Sequence, residues 1–293
     1  MREYYFANCR LRMDDEIADD GSMSCLSAFS GEMPYEHTFT LRLGDAGAVD
    51  EVYQEALKGP VVSETTGDEL RRLEDGWRLI TKPKTEQGLE RARQVLVCGR
   101  DYRDMTLYCA KPENGYYTLF KTMLRVMSGV GRAFAGGITL HASLVEKDGY
   151  GVLFTGPSGM GKSTQARLWE RYQGAEIING DSPAIYERDG AWYASGLPCD
   201  GKDDIYKQRE LPIKAVIVLE QAKENHIRRV EAPEAMAALL QLVMYPFWDD
   251  EAMDRLSAAM FRCASAVPFY HLKNLPEEAA TILTHRTINE KVI

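Results

Sequence analysis

The six cysteines, Cys9, Cys25, Cys98, Cys109, Cys199 and Cys263, form no CxxC pair and stand in no metal-ligand spacing with histidine. Neither a zinc site nor a disulfide scaffold is supported, and packed free thiols are the simpler reading. Cys199 stands apart only because it lies in the stretch GLPCDGKDD. Lys and Arg form no extended cluster, and the net charge is −9. That excludes a nucleic-acid-binding surface, which needs basic side chains gathered to displace counterions from phosphates. No stretch approaches the roughly 20 consecutive apolar residues of a membrane span, and the first residues lack the apolar core of a signal peptide. The expectation is a cytoplasmic protein without membrane contact. No internal repeat or low-complexity tract appears.

What is present is an ordinary globular composition, 45% apolar and 27% charged, over 293 residues, a length that favours two domains. Residues 1–115 read as a smaller β-rich domain, with strands in EYYFANCRLRM, EHTFTLRL, GWRLI, RQVLVCG and MTLYCA. Alternation at Phe39, Leu41 and Leu43 marks a half-buried strand. The acidic Gly/Ser stretch Asp14–Gly31 reads as turns, and residues 47–58 fit either a helix or a strand with a turn. A connector, 116–137, has Leu119, Met123, Leu124 and Met127 near helical spacing, with Gly129 and Gly131 expected to end the helix. From residue 138 the alternation of elements is that of an α/β domain. Asp148-Gly149 and Asp189-Gly190 mark hairpins, and KAVIVLEQ is a buried strand. Two amphipathic helices follow in PEAMAALLQLVMYPFW and DDEAMDRLSAAMFRCASA, then the strand VPFYHLKN and a last helix in PEEAATILTHR. The aromatic stretch MYPFW is assigned to core packing rather than to a site.

The chemistry is carried by GYGVLFTGPSGMGKST, an apolar strand that breaks into glycines and then into a helix start. Gly156-Pro157-Ser158-Gly159-Met160-Gly161-Lys162-Ser163 matches G-x4-G-K-[ST] at every fixed position, and Thr164 follows. In such a loop successive backbone N–H groups converge on phosphate oxygens, and a Cβ at Gly159 or Gly161 is expected to obstruct that wrapping. Lys162 supplies a cation to the β and γ phosphates, and the Ser163 hydroxyl suits Mg²⁺. A carboxylate should follow on a neighbouring strand, to hold Mg²⁺ or to accept a proton, and Asp181 after AEIING is the first candidate. His141 lies on the first arm of the hairpin whose second arm delivers the loop, so an imidazole is expected near the bound phosphates.

These residues, LHASLVEKDGYGVLFTGPSGMGKST followed by IINGDSP, resemble the kinase domain of HPr kinase/phosphorylase and its serine-kinase-like relatives, a group that shares ancestry with ATP-dependent phosphoenolpyruvate carboxykinases. The resemblance covers roughly residues 138–220. It implies a P-loop kinase-like domain over 138–293 with a β-hairpin before the phosphate loop. It also implies ATP and Mg²⁺ as cofactors and a serine hydroxyl as acceptor. By the same resemblance His141, Lys162 and Asp181 form the catalytic set, Asp181 being the general base, while Ser163 and Asp181 bind the metal. A homo-oligomer is implied as well.

Two features depart from that pattern. Gly180-Asp181 stands where HPr kinases carry paired aspartates, and no phosphorolysis signature follows. Asp200, Asp203 and Asp204 are candidates for a further carboxylate, although solvated loop acids are the plainer reading. Divergent members of this group act in peptide natural-product pathways. The acceptor is therefore expected to be a peptide, a protein or a small hydroxyl compound, recognised with help from the amino-terminal domain. Two alternatives stay open: a nucleotide-binding regulator or assembly partner with little catalysis, and a carboxykinase-like metabolic enzyme.

Overall fold

A computed structural model describes residues 1–19, 21–64, 68–81, 93–109, 131–198 and 205–290. Most of the 116–137 connector, together with Cys199, Asp200, Asp203 and Asp204, lies outside the described residues. The fold is mixed α/β, built on two sheets, and the chain divides into two compact units.

The first unit comprises Met1–Ala135 together with Pro246–Asp250. Its strands are β1 (Arg2–Phe6), β2 (Cys9–Met13), β3 (His37–Leu43), β4 (Val61–Glu64), β5 (Asp68–Leu73), β6 (Gly76–Thr81), β7 (Gln94–Gly99) and β8 (Asp104–Cys109). They form one sheet in the order β1-β2-β3-β8-β7-β6-β5-β4. EYYFANCRLRM is a hairpin rather than one strand, because Ala7 and Asn8 both take positive φ and turn the chain between β1 and β2.

The stretch after β2, expected to be turns, is helical: α1 (Asp15–Ala18) precedes a 3-10 segment, Gly21–Phe29, that buries Leu26 and Phe29. The open choice at 47–58 resolves to a helix, α2 (Val49–Ala56). Val49, Val52, Tyr53 and Ala56 recur at helical spacing, and Tyr53 and Ala56 pack on Ile80 and Val95 of the sheet. A short helix, α3 (Arg132–Phe134), follows. Gly131 keeps helical angles, φ −57 and ψ −35, immediately before it, and the helix expected to end at Gly129 and Gly131 lies outside the described residues.

MYPFW divides in its role. Trp248 donates to the Tyr102 hydroxyl at 3.4 Å, and that hydroxyl donates to Asp249 at 3.2 Å. Tyr102 in turn stacks on Trp77, whereas Phe247 is 67% exposed.

The second unit comprises Gly136–Tyr245 and Glu251–Ile293. Its elements are β9 (Gly137–Thr139), β10 (Ala142–Lys147), β11 (Tyr150–Thr155), α4 (Lys162–Gln173), β12 (Glu176–Asn179), β13 (Ala184–Arg188) and β14 (Ala191–Ser195). Then follow β15 (Glu210–Gln221), β16 (His226–Val230), α5 (Ala232–Leu242), α6 (Asp250–Ala266), β17 (Phe269–Asn274) and α7 (Glu278–Asn289). The path β12-β10-β11-β15-β14-β13-β9 is extended by β17 on β15 and β16 on β17. Asp148 and Gly149 take φ of 49° and 81°, which closes the β10–β11 hairpin as their residue types require.

β10 runs antiparallel to both β11 and β12, while β15 is parallel to β11 and β17 parallel to β15. The carboxyl ends of β11, β12, β15 and β17 therefore share one sheet edge with the start of β10. This is the edge at which open α/β sheets place ligands. α4 is held over the sheet by Ala166 and Trp169 against Val152, Phe154 and Ile217. Trp169 is fully buried and meets Phe154 edge to face at 5.5 Å, so replacing it with alanine should cost about 3–5 kcal/mol. Among the described residues no helix is long and apolar enough to cross a membrane.

Candidate functional site

β11 ends at Thr155, and the chain passes through Gly156–Gly161 into the first turn of α4, with Pro157, Ser158 and Gly159 exposed. Gly159 and Gly161 have φ of 84° and 99°. No protein atom lies within 4 Å of a Cβ built at Gly159, and only Thr164 Cβ, at 4.0 Å, is near one at Gly161. Positive φ by itself thus requires glycine at both positions, with no crowding from the protein.

Lys162 opens α4 and folds back over the loop. Its ammonium donates to the carbonyls of Gly156 (2.9 Å) and Pro157 (3.2 Å). Only 8% of the residue is exposed, and burial lowers its pKa; the negative charge of Asp181 opposes that shift. Ser163 and Thr164 are exposed in the same helical turn.

On the β10–β12 side the structure brings His141 and Asp181 together. His141 does not lie inside a strand arm, as the hairpin pattern implies, but in the break between β9 and β10. The two strands serve different neighbours, β9 pairing with β13 and β10 with β11 and β12, and His141 is where the chain crosses over. Its backbone N–H donates to Leu242 O (2.9 Å), and its carbonyl accepts from the Thr155 hydroxyl at the end of the loop strand (2.8 Å). The ring Nδ1 lies 3.3 Å from the Asp181 carbonyl and 3.4 Å from its carboxylate. A proton on Nδ1 would satisfy both oxygens. The two side chains are 40% and 41% exposed, so both are accessible to a ligand.

Several residues of this edge carry no motif and are recognised only in the fold. Asn179 accepts the backbone N–H groups of Asp181 and Ser182, and Ser143 donates its hydroxyl to Gly180 O (2.9 Å). On the opposite flank β15 ends in a neutral amide: Gln221 donates to Gly159 O at 2.9 Å. Gln165, buried in the first turns of α4, donates to Asn274 at the end of β17 (2.7 Å), and Asn274 donates to Glu220 O (3.0 Å). Among the described residues, the acid whose charge acts on Lys162 is Asp181, after β12. No group of three His, Cys, Asp or Glu side chains suited to a metal occurs among the described residues. Ser163 and Asp181, the two expected metal ligands, are a hydroxyl and one carboxylate. Such a pair suits a cation whose other ligands are phosphate oxygens and water. The loop fits a nucleotide phosphate: exposed backbone at its apex, positive φ at its glycines, and a desolvated ammonium held by carbonyls.

A family model described as "SynChlorMet cassette protein ScmC" matches residues 117–274, more than half of the chain. The chain belongs to the ScmC family. The matched span contains the residues from which the candidate site is built, from His141 through the glycine loop to Asp181 and on to Asn274. Among solved structures, the HPr(Ser) kinase/phosphatase from Coxiella burnetii is similar at 16% identity and a TM-score of 0.28. That match covers 51% of this chain and 90% of the other. No curated protein matches the chain significantly.

Proposed function

We propose that this protein is a Mg²⁺- and ATP-dependent phosphotransferase that passes the γ-phosphoryl group to a hydroxyl, foremost a serine of a peptide or protein. The observation that carries the reading is the meeting of three functional groups at one sheet edge. The phosphate loop follows β11 and Asp181 follows β12, while His141 precedes β10 with its ring 3.4 Å from the Asp181 carboxylate. Gly156–Thr164 would hold the phosphates, with Lys162 supplying positive charge where negative charge accumulates in transfer. Mg²⁺, held through Ser163 and Asp181, would supply charge neutralisation at the phosphates. Asp181 would accept the proton of the acceptor hydroxyl, and His141 would keep its carboxylate oriented. We assign acceptor recognition to the amino-terminal unit, and a homo-oligomer and a cytoplasmic setting to the whole chain.

Gly180, where the resembling kinases carry an acid, favours a second reading, a nucleotide-binding regulator with little catalysis. Phosphoryl transfer separates the two. Purified protein with ATP and Mg²⁺ is offered a panel of serine peptides, proteins and small alcohols, and phosphate is followed by mass spectrometry. A kinase gives a phosphorylated acceptor. Asp181→Asn should then lower kcat by roughly 10²–10⁴-fold while nucleotide still binds. ATP binding without transfer to any acceptor would leave the regulator reading, and full transfer by Asp181→Asn would remove Asp181 as base.

A further inference from the structure

We infer that Asn179 is a positioning residue for this site: its carboxamide, rather than any side chain at position 180, sets where the Asp181 carboxylate stands. The inference rests on the reading of Asp181 as general base and goes beyond it by naming what orients that base.

Asn179 is the last residue of β12 and is completely buried. Its Oδ1 accepts two backbone donors at once, from Asp181 at 3.1 Å and from Ser182 at 2.8 Å. Its Nδ2 reaches Leu197 O at 3.4 Å. A side-chain oxygen that accepts from the second and third residues ahead forms a local turn, and here that turn contains Asp181. The strand pairing slips at the same place. Leu144 stands opposite Asn179 while Val145 stands opposite Ile177, so β12 carries an extra residue just before the turn. Irregularities of this kind re-aim side chains beside active sites.

The far side of the turn is tied to β10. Ser143 Oγ donates to Gly180 O, and the Ala142 N–H donates to Asp181 O at 2.9 Å. Asp181 thus has its N–H held by Asn179 and its carbonyl held by Ala142. What remains adjustable is the side chain, which stands against the His141 ring. Gly180 contributes its carbonyl to this arrangement, so the absence of an acid there leaves the anchoring of Asp181 intact. Loss of Asn179 Oδ1 removes the acceptor of two part-buried donors and the turn they define. A displacement of about 1 Å at a reacting group is enough to cost roughly 10²-fold in rate.

The test compares wild type, Asn179→Ala, Asn179→Ser and Asp181→Asn in full-length protein. Serine keeps an acceptor oxygen for the turn without adding charge. Steady-state kinetics with ATP and the best acceptor should show Asn179→Ala lowering kcat by roughly 10²-fold, with KM for ATP within about threefold, and Asn179→Ser recovering about tenfold of the loss. A second readout needs no catalysis: the ring resonances of His141 in histidine-labelled protein, assigned by their loss in His141→Gln. They should move in Asn179→Ala toward their position in Asp181→Asn, and return in Asn179→Ser. Unchanged kcat in Asn179→Ala, no recovery with serine, or a loss confined to KM each overturns the inference. If wild type transfers phosphate to no acceptor, the kinase reading fails and the His141 resonances decide alone; unmoved resonances in Asn179→Ala then reject the positioning role. If Asn179→Ala does not fold, the same resonances in Asn179→Ser decide: close to wild type they support it, and coincident with Asp181→Asn they reject it.

Discussion

Glycines at the two ends of α4 separate what the helix needs from what the site needs. Gly161, before the helix, has φ 99° and ψ 21°; Gly174, after it, has φ 63° and ψ 31°. Both are left-handed, and at neither would a Cβ meet a protein atom closer than 4.0 Å. Alanine at either position therefore costs backbone strain alone, about 1–2 kcal/mol. In a domain of 150–250 residues each kcal/mol lowers Tm by about 2–4 °C, so Gly174→Ala should melt roughly 2–8 °C below wild type. Twelve residues at 1.5 Å each put Gly174 about 18 Å from the loop, and its substitution should leave nucleotide affinity unchanged. Gly161→Ala carries the same strain inside the phosphate loop. Where the loop keeps its shape, the strain appears as lost stability. Where the loop relaxes, binding must restore the shape, and the same 1–2 kcal/mol appears as a Kd for Mg·ATP raised about 5–30-fold. Calorimetry supplies both quantities: a thermal scan of each nucleotide-free variant and a titration with a non-hydrolysable ATP analogue and Mg²⁺. The reasoning is refuted if Gly161→Ala matches wild type in both, or if Gly174→Ala loses as much affinity as Gly161→Ala.

Lys162→Met should weaken nucleotide binding by about 10–10²-fold, the loss of one charge-assisted hydrogen bond of about 1.5–3 kcal/mol. It should also change the pH dependence of stability. Because burial lowers the Lys162 pKa, the unfolded chain holds an extra proton between the folded value and the ordinary lysine value, so stability rises with pH through that alkaline window and the penalty for burying the charge is complete below it. Denaturant melts across the window should show that rise in wild type and a flatter profile in the variant; parallel profiles count against the assignment. Gln221→Ala removes one hydrogen bond from an exposed residue, so Tm should hold while ATP affinity falls about 2–10-fold. An affinity equal to wild type would show that Gly159 needs no support from β15. Burial raises the thiol pKa of Cys9, Cys98 and Cys263 and brings Cys109 to about 11. These four should resist alkylation in native protein, as read by mass spectrometry, and react only after denaturation; rapid native labelling of any of them contradicts the packing described.

The elements legible in the sequence are those fixed by neighbours along the chain. The phosphate loop and the helix after it follow from glycines that allow positive φ and from a helix start that presents N–H groups, all within a few residues. Asp148-Gly149 and Asp189-Gly190 likewise specify their hairpins through their own dihedrals. The tight turn brings Ala142 opposite Thr155 and so sets His141, one residue before the arm, beside the end of the loop strand. The charged strand β5, with sequence DELRRL, shows no alternation strong enough to read, and its pairing with β6 comes from the sheet rather than from its own pattern. The helical stretch Asp15–Phe29 is decided in the same way: Ile17, Leu26 and Phe29 are buried there, although their spacing among Gly, Ser and acidic residues signals turns.

By itself the sequence determines a glycine loop of the form G-x4-G-K-[ST] between a strand and a helix, since that information is local. Only the tertiary structure decides what stands around the loop. Seating β10 between β11 and β12 brings Asp181 to the edge where the loop begins, and the same seating makes Asn179 and Ser143 anchors of Asp181. Setting β15 against β11 places Gln221, an uncharged donor, on the other flank. Contacts of this kind join residues far apart in the chain, and their identity depends on which strands pair. No window of neighbouring residues contains that choice.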